Sequence, residues 1–280
     1  MSDFTIRDSR TGDEPQLREL WRTAFGDSDE YIDSFFENLF RTDECVVAEA
    51  DGKVVSAMYV LPGETVFPFR KNRLTAGYTY ALATLPEYRS RGIGRAVYKA
   101  ASDKALGSAD AACVLPAEES LYPFYENASG AKPFSFIREA RIPKAELEGH
   151  VPVMAVPVPA GQYAGMREWF LSELPHVTFP EALYDHLEAS GMEFFMMEKG
   201  AAAVETDNGV CVIQELLAPD ADPLSAVAGI ARWCRAEEYI VRTPLFLDGI
   251  GERRPFMLAA IPQPPAYPLP DDLWWGFGMD

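Results

Sequence analysis

The chain has 280 residues, of which 48% are hydrophobic and 24% charged, so it can bury a sizeable core and lacks the composition of a disordered protein. Its 43 acidic and 25 basic residues give a net charge of -18, which disfavours nucleic acid and anionic membrane surfaces as partners. Cationic or neutral amines fit this charge better, although acidic surfaces also serve solubility alone. The length admits one large domain or two smaller ones, and we favour two.

The amino terminus has no basic segment followed by an apolar run, and no stretch of about 18 apolar residues occurs, so we expect neither export nor membrane spanning. Four cysteines occur in the chain: Cys45, Cys113, Cys211 and Cys234. Their wide spacing and apolar surroundings favour buried, reduced thiols and therefore a cytoplasmic protein. The three histidines lack the spacing of metal ligands, and we expect no metal site.

Hydrophobic periodicity predicts the elements of the first half in chain order. They are a strand at 4–7, helices at 13–25 and 29–40, strands at 45–49, 53–60, 64–69 and 74–85, a helix from 93 to about 107, and a strand at 111–115. Asp51 and Gly52 between the second and third strands predict a tight hairpin. Gly107 is expected to end the last helix as a left-handed cap.

The segment 142–159 is rich in proline and reads as a connector, with an edge strand as an option at 151–156. We place a domain boundary there, which gives domains 1–155 and 156–280. Beyond it the pattern predicts helices at 162–174 and 180–190, strands at 193–198, 201–204 and 210–217, a helix at 224–234 and a strand at 239–243. His186 on the second of these helices is expected to be an ordinary surface or partly buried residue.

The order of elements in the second half repeats that of the first. Either duplication or chance explains this, because strand–helix–strand units are common. The loop before the second-half helix carries Asp220, Asp222 and Pro223, two carboxylates and a residue without an amide N–H. We therefore expect no phosphate binding at that loop.

The corresponding loop of the first half is rich in glycine and arginine. Residues 85–94 read LPEYRSRGIG and join a predicted strand to a predicted helix. Because Gly92 and Gly94 lack side chains, backbone amides can close around a diphosphate at the positive end of the helix. Arg89, Arg91 and Arg95 add positive charge, so the sequence predicts a phosphate site here.

This loop closely resembles the Arg/Gln-x-x-Gly-x-Gly/Ala acetyl-CoA motif of the GCN5-related N-acetyltransferases, the GNAT family. Residues 121–131 read LYPFYENASGA and look like the family's Phe-Tyr-x-x-x-Gly-Phe segment, with one extra residue before Gly130 and Ala131 in place of a larger residue. The resemblance covers about residues 4 to 137. It implies an α/β fold with a mixed sheet, in which a GNAT-like acyl-CoA-binding domain precedes a smaller GNAT-like domain.

The resemblance also implies acetyl-CoA as cosubstrate and a primary amine of a small molecule or peptide as acceptor. Carried over by position, three residues would offer backbone groups to pantetheine: Leu82, Ala83 and Thr84. The pyrophosphate would receive the amides of a second set: Arg91, Gly92, Ile93, Gly94 and Arg95.

By the same resemblance Tyr125 would lie near the thiol. A phenol there can protonate the departing thiolate, which makes Tyr125 our candidate general acid, with Tyr122 as the fallback and simple packing as the alternative role. The group that faces the amine is left open among four residues: Glu118, Glu119, Tyr78 and Tyr80.

Tandem members of the family, including the enhanced intracellular survival type, imply that the carboxylate at Asp280 reaches the amine. The aromatic segment 273–277 would anchor it, unless that segment serves core packing or a partner surface. Two rival functions stay open: an acyl-CoA sensor without turnover, and an interaction module that uses 151–158 and the aromatic segment. The sequence does not fix the oligomeric state.

Overall fold

A computed structural model describes residues 4–66, 74–198, 200–247, 249–262 and 272–279. The helices in chain order are α1 (Glu14–Phe25), α2 (Asp29–Asn38), α3 (Ile93–Ser108), α4 (Tyr122–Ser129), α5 (Ala160–Leu171), α6 (Glu181–Ala189) and α7 (Pro223–Ile230). The strands are β1 (Thr5–Asp8), β2 (Cys45–Ala50), β3 (Lys53–Val66), β4 (Leu74–Thr84), β5 (Ala111–Val114), β6 (Lys132–Pro133), β7 (Phe136–Pro143), β8 (Ala155–Val158), β9 (His176–Thr178), β10 (Glu193–Met197), β11 (Gly200–Asp207), β12 (Val210–Leu217), β13 (Glu238–Thr243), β14 (Glu252–Pro255) and β15 (Leu258–Ala260).

The first sheet has the strand order β1-β2-β3-β4-β5-β15-β6, with β9 pairing along the far end of β3. Strands β4 and β5 run parallel and are joined through α3, whereas the other pairs are antiparallel. The hairpin between β2 and β3 turns at Asp51 and Gly52, both with positive φ (53° and 74°), which confirms the predicted turn.

The second sheet has the order β14-β7-β13-β12-β11-β10-β8. Here β12 and β13 run parallel and are joined through α7. Each sheet therefore contains a parallel pair connected by a helix, and the predicted mixed α/β fold is confirmed.

Strand pairing crosses residue 155 in both directions. Strand β7 precedes that position but pairs with β13 and β14 of the second sheet. Strands β9 and β15 follow it but belong to the first sheet, where β15 lies between β5 and β6. We keep the division into 1–155 and 156–280 as a proposal for two halves that exchange strands.

The largest hydrophobic core is shared by the two halves. It combines α1 and α2 and one face of the first sheet with residues of α5, α6 and the segment 273–279. Separate cores lie between α3 and the other face of the first sheet, and between α7 and the second sheet. The segment near the carboxyl end is thus a structural part of the first half's core.

Several sequence predictions need correction. Residues 64–66 continue β3 instead of forming a strand of their own, and 67–69 lie outside the described residues. Helix α3 continues through Gly107, whose φ is not positive, to Ser108. His186 is completely buried, at 0% exposure, because α6 packs it against α2.

Strands at 132–133, 136–143, 176–178, 252–255 and 258–260 were not predicted, and the edge strand expected at 151–156 begins only at Ala155. That strand, β8, does lie at the edge of the second sheet. The cysteines are free and buried. Within the described ranges, no helix is long and apolar enough to cross a membrane, and no cluster of side chains suited to a metal ion occurs.

Candidate functional site

The parallel pair at the centre of the first sheet opens toward its carboxyl end. Pairing of β4 with β5 stops at Thr79 and Val114, whereas β4 continues to Thr84. A bulge sits at this point, because Tyr80 faces Tyr59 but the next pair opposite β3 is Ala83 with Ala57. The residue at the bulge, Ala81, has φ 54°, a conformation that turns the strand and that alanine rarely adopts.

The opening leaves the β5-facing edge of residues 80–84 without a strand partner among the described residues. Its backbone amide and carbonyl groups can therefore pair with an extended ligand instead. Next to this edge lies a cavity of about 320 Å³, here named the β4–β5 cavity. Its lining comes from the end of α1 and the residue Asp27 after it, from β3, β4 and β5 and the residues that follow β5, from α4, and from Met279.

The glycine loop follows β4 directly and leads into α3. It contains a short helical turn at Pro86–Tyr88, then Ser90 and Gly92 with positive φ (62° and 78°). Gly94 lies so close to β4 that an added Cβ would be 3.2 Å from Thr84 Oγ1. The start of α3, whose first-turn amides lack intrahelical acceptors, therefore lies beside the end of β4.

Arg89 and Arg91 of the loop and Arg95 in the first turn of α3 are exposed, and each has a local contact. Arg89 Nε donates to Thr84 O at 3.0 Å, and Arg95 Nη2 donates to Asn127 O at 2.8 Å. The Arg91 guanidinium lies 5.1 Å from the centre of the Tyr88 ring. The loop is therefore tied to β4 on one side and to the end of α4 on the other, with positive charge around its mouth.

Of the three residues predicted to offer backbone groups, Leu82 lines the β4–β5 cavity. The carbonyl of Ala83 accepts a hydrogen bond from Ser56 Oγ at 2.6 Å, and that of Thr84 accepts from Arg89. Leu82 is thus the member of the set in direct contact with the open space.

Tyr125 extends from α4 into the same cavity. Its side chain is 7% exposed and its ring packs edge-on against Tyr98, with centroids 4.8 Å apart. Burial, with a smaller contribution from Tyr98, raises the pKa of Tyr125 to about 12. With this raised pKa the phenol is protonated at neutral pH, and Tyr125 is part of the cavity lining.

The wall opposite the strands carries a carboxylate that sequence reasoning missed. Asp27 follows the left-handed cap Gly26 (φ 76°) of α1 and lines the cavity. Trp21 Nε1 donates to Asp27 Oδ2 at 2.7 Å, which fixes the carboxylate beside the aromatic rings of Trp21 and Phe25. A Gly-Asp pair after a helix was visible in the sequence, but nothing in the pattern placed it opposite β4.

Residues 5–128 match the family model described as the acetyltransferase (GNAT) domain. This segment is a GNAT domain. The match covers the glycine loop, the parallel pair around it and α4 up to Ala128, so the predicted family is confirmed for this segment.

Solved structures with the same fold extend the likeness over nearly the whole chain. A GCN5-related N-acetyltransferase from Kribbella flavida aligns with a TM-score of 0.67 at 14% identity over 92% of this chain and 71% of that one. A probable N-acyltransferase from Enterococcus faecalis V583 aligns with a TM-score of 0.67 at 16% identity, over 92% and 72%. Eis1 from Mycobacterium abscessus aligns with a TM-score of 0.60 at 12% identity, over 92% and 73%.

At these identities the likeness concerns the fold. A search of curated protein sequences finds no match.

Three of the remaining candidate residues do not line the β4–β5 cavity: Tyr122, Glu118 and Glu119. Tyr122 donates to Pro255 O at 3.4 Å and does not line the cavity. Glu118 and Glu119 are exposed and also lie outside the lining. Tyr125 is therefore the better placed of the two phenols that we considered as acids.

Tyr78 and Tyr80 do line the β4–β5 cavity, but the hydroxyl of each already has a hydrogen-bond partner. Tyr78 donates to Met279 O at 3.0 Å, and the Tyr80 hydroxyl lies 2.7 Å from that of Tyr31. Burial raises the pKa of Tyr80 well above its ordinary value, so this phenol is not a base near neutral pH. Asp280 lies outside the described residues, and its neighbour Met279 lines the cavity.

In the second half, the corresponding loop lies before α7, and a side chain of the loop caps that helix. Asp222 caps α7, accepting from the amide of Ser225 at 2.9 Å, and lies 3.0 Å from His150 Nδ1. A carboxylate thus occupies the position at the helix end where the GNAT loop carries Gly92. The expectation that no phosphate binds at this loop stays a prediction.

Proposed function

We propose that the chain transfers an acetyl group from acetyl-CoA to a primary amine of a small molecule or peptide. The observation that carries this proposal is the β4–β5 cavity, where an unpaired strand edge, a buried phenol and a carboxylate face one space. The family match to an acetyltransferase domain supports the same reaction class.

In this proposal the donor lies along the open edge of β4. The backbone of Leu82, Ala83 and Thr84 pairs with the amide groups of pantetheine. The pyrophosphate lies at the start of α3 on the amides of residues 91–95, inside the positive charge of Arg89, Arg91 and Arg95. This arrangement directs the thioester into the β4–β5 cavity, toward Tyr125.

The acceptor enters from the side of α1. Asp27 attracts an ammonium group electrostatically, and the rings of Trp21 and Phe25 pack against its carbon skeleton. The amine must lose a proton before it attacks. Asp27, directly or through water, is our candidate to take that proton, and Asp280 is the second candidate because its neighbour Met279 lines the cavity.

The neutral amine then attacks the thioester carbonyl carbon and forms a C–N bond. When the tetrahedral intermediate collapses, the C–S bond breaks and the sulfur leaves with the electron pair. Tyr125 gives its proton to that sulfur, and the surplus proton that the nitrogen carries after the attack returns to the Tyr125 oxygen, directly or through water, which yields CoA thiol and the N-acetylated amine. Because its pKa is about 12, Tyr125 is protonated throughout the neutral range, as this role requires.

The proposal is tested by measuring thiol release from acetyl-CoA over a panel of amines, with Tyr125→Phe compared with the wild type. General acid catalysis contributes about 10²- to 10⁴-fold, so we expect turnover to fall within that range while the Kd of acetyl-CoA stays within about twofold. Tyr122→Phe on the same helix, whose hydroxyl points to Pro255, is the matched control and should keep its turnover.

Three results would count against the proposal. Equal turnover in Tyr125→Phe and wild type removes the acid assignment. Binding of acetyl-CoA without thiol release for any amine favours a sensor without turnover. Absence of any thermal shift with acetyl-CoA removes the donor site altogether.

With free, buried thiols and acetyl-CoA as donor, we further propose a cytoplasmic location.

A further inference from the structure

Residues 272–279, here named the tail, run through the interior between the two halves. Trp274 and Trp275 are 0% exposed and Phe277 is 2% exposed. Val177 N donates to Trp274 O at 2.8 Å and Trp274 N donates to Pro175 O at 3.0 Å, which ties the start of the tail to β9. The start of the tail is therefore buried and hydrogen-bonded through both backbone groups of Trp274.

A buried carboxylate of the second sheet fixes the side chain of Trp274. Glu215 on β12 is 0% exposed and accepts hydrogen bonds from Trp274 Nε1 and from the hydroxyl of Tyr163. It also accepts from Arg167 Nε at 2.9 Å. Each oxygen of Glu215 thus has donors, one of which belongs to the tail.

Arg167 fixes the backbone of the tail. It is 0% exposed and donates to Val177 O at 2.8 Å and to Trp275 O at 3.3 Å. Gly276, with φ 97°, passes directly over the ion pair, since an added Cβ would lie 2.6 Å from Arg167 Nη2 and 3.0 Å from Glu215 Oε2. The ion pair and Gly276 thus determine the path of the chain after residue 276.

The next residues form a wall of the β4–β5 cavity. An added Cβ at Gly278 would overlap Leu115, which itself lines the cavity. Met279 lines the cavity as well, and its carbonyl accepts from Tyr78 at 3.0 Å. A shift of the tail at Gly276 would therefore move this wall.

Stability alone is a poor reason for this arrangement. Placing two charges in the interior costs desolvation energy that their attraction often fails to recover, and replacing a buried ion pair by apolar residues of similar volume is often neutral or stabilising. The pair instead fixes the position of the tail, because Glu215 accepts a hydrogen bond from Trp274 and Arg167 donates one to the next residue, Trp275.

We propose that Arg167 and Glu215 are positioning residues for the acceptor side of the GNAT site, acting through the tail to hold Gly278 and Met279 at the cavity wall. The second half thereby shapes the pocket of the first half without binding the donor itself. This inference rests on the proposed acetyl transfer. Within the described residues the hydrogen bonds of the ion pair reach β9 and the tail and not the glycine loop, so we expect the effect on the amine and not on acetyl-CoA.

The test uses the full chain and two substitutions in the tail. Gly276→Ala places a methyl group against the ion pair, and Trp274→Phe removes the donor to Glu215 but keeps a buried ring. We expect the KM for the amine to rise at least tenfold in each, with the Kd of acetyl-CoA within twofold of wild type. Gly165→Ala on α5 is the matched control, because nothing lies within 4 Å of its added Cβ.

The outcomes separate the two proposals. Wild-type turnover together with an unchanged amine KM in a folded tail variant overturns the positioning role alone. An equal loss of amine and acetyl-CoA binding also overturns it, since that indicates general damage. Wild-type protein that releases no thiol with any amine overturns the proposed function. If Gly276→Ala does not fold, Trp274→Phe decides by the same criteria.

Discussion

His186 is a buried imidazole that connects α6 to α2. Its Nδ1 lies 3.1 Å from Ser34 Oγ, and its ring packs edge-on against Tyr31 with centroids 4.9 Å apart. Its Nε2 is buried and has no partner in the described part of the chain. Burial therefore favours the neutral form and lowers the pKa of His186 from 6.5 to about 4.

This lowered pKa makes stability depend on pH. Between pH 6.5 and pH 4 the unfolded chain binds a proton at His186 that the folded chain does not, so the free energy of unfolding falls as pH falls. From pH 7.5 to pH 5 the expected loss from this group is about 2 kcal/mol. Urea unfolding at both pH values should show this loss in wild type, and His186→Gln should lack that part of it. Equal pH dependence in the two proteins would contradict the assignment.

At the scale of elements, two glycines at opposite ends of α3, Gly92 and Gly107, have opposite requirements. Gly92 precedes the helix with φ 78°, a region that costs other residues about 1–2 kcal/mol. Gly107 lies inside the last turn with ordinary helical backbone, and nothing lies within 4 Å of an added Cβ. The same substitution should therefore have opposite effects at the two positions.

We expect Gly92→Ala to distort the loop and raise the Kd of acetyl-CoA about tenfold, which corresponds to about 1.4 kcal/mol. Gly107→Ala should leave that Kd unchanged and raise the free energy of unfolding by about 0.5–1 kcal/mol, because alanine favours the helix. Calorimetric titration with acetyl-CoA and urea unfolding measure the two quantities. Tighter or unchanged binding in Gly92→Ala would remove the loop from the donor site.

The success of sequence reasoning follows the range of the interactions. The hairpin at Asp51 and Gly52 and the loop before α3 were predicted because each depends on adjacent residues. Strands β14 and β15 were missed because they are short and their partners lie more than 100 residues away. The bulge at Ala81 carries no glycine or proline to mark it, and only the strand register reveals it.

The candidate site divides in the same way. Tyr125 and the loop could be predicted as site residues because they belong to contiguous motifs, and both border the open end of β4. Asp27 and Met279 come from distant parts of the chain and meet at the cavity only through the fold. The spacing of residues in the sequence therefore could not predict that Asp27 and Met279 line one cavity.

At the scale of the whole molecule, the two halves depend on each other. The first sheet needs β9 and β15 from the second half, and the second sheet needs β7 from the first. The shared core also takes the wholly buried Trp274 and Trp275 from the tail. Neither half can complete its sheet or its core alone.

We therefore expect a fragment of residues 1–155 to be insoluble or to unfold without cooperativity, because the edge of β5 and the face under the tail are exposed. Expression of this fragment, followed by urea unfolding monitored by tryptophan fluorescence, tests this. Co-expression with residues 156–280 is the matched control and should restore soluble protein. A monomeric fragment with a sharp unfolding transition would show that the exchanged strands are dispensable.

The position of β15 in the chain also determines when the first sheet can be completed during translation. Residues 258–260 leave the ribosome about 140 residues after β5, which at typical elongation rates is a delay of roughly 7–30 s. During that interval the nascent first sheet has a vacant slot beside β5, open to chaperones and to neighbouring polypeptides. The first sheet, and with it the site, can therefore be completed only after this delay.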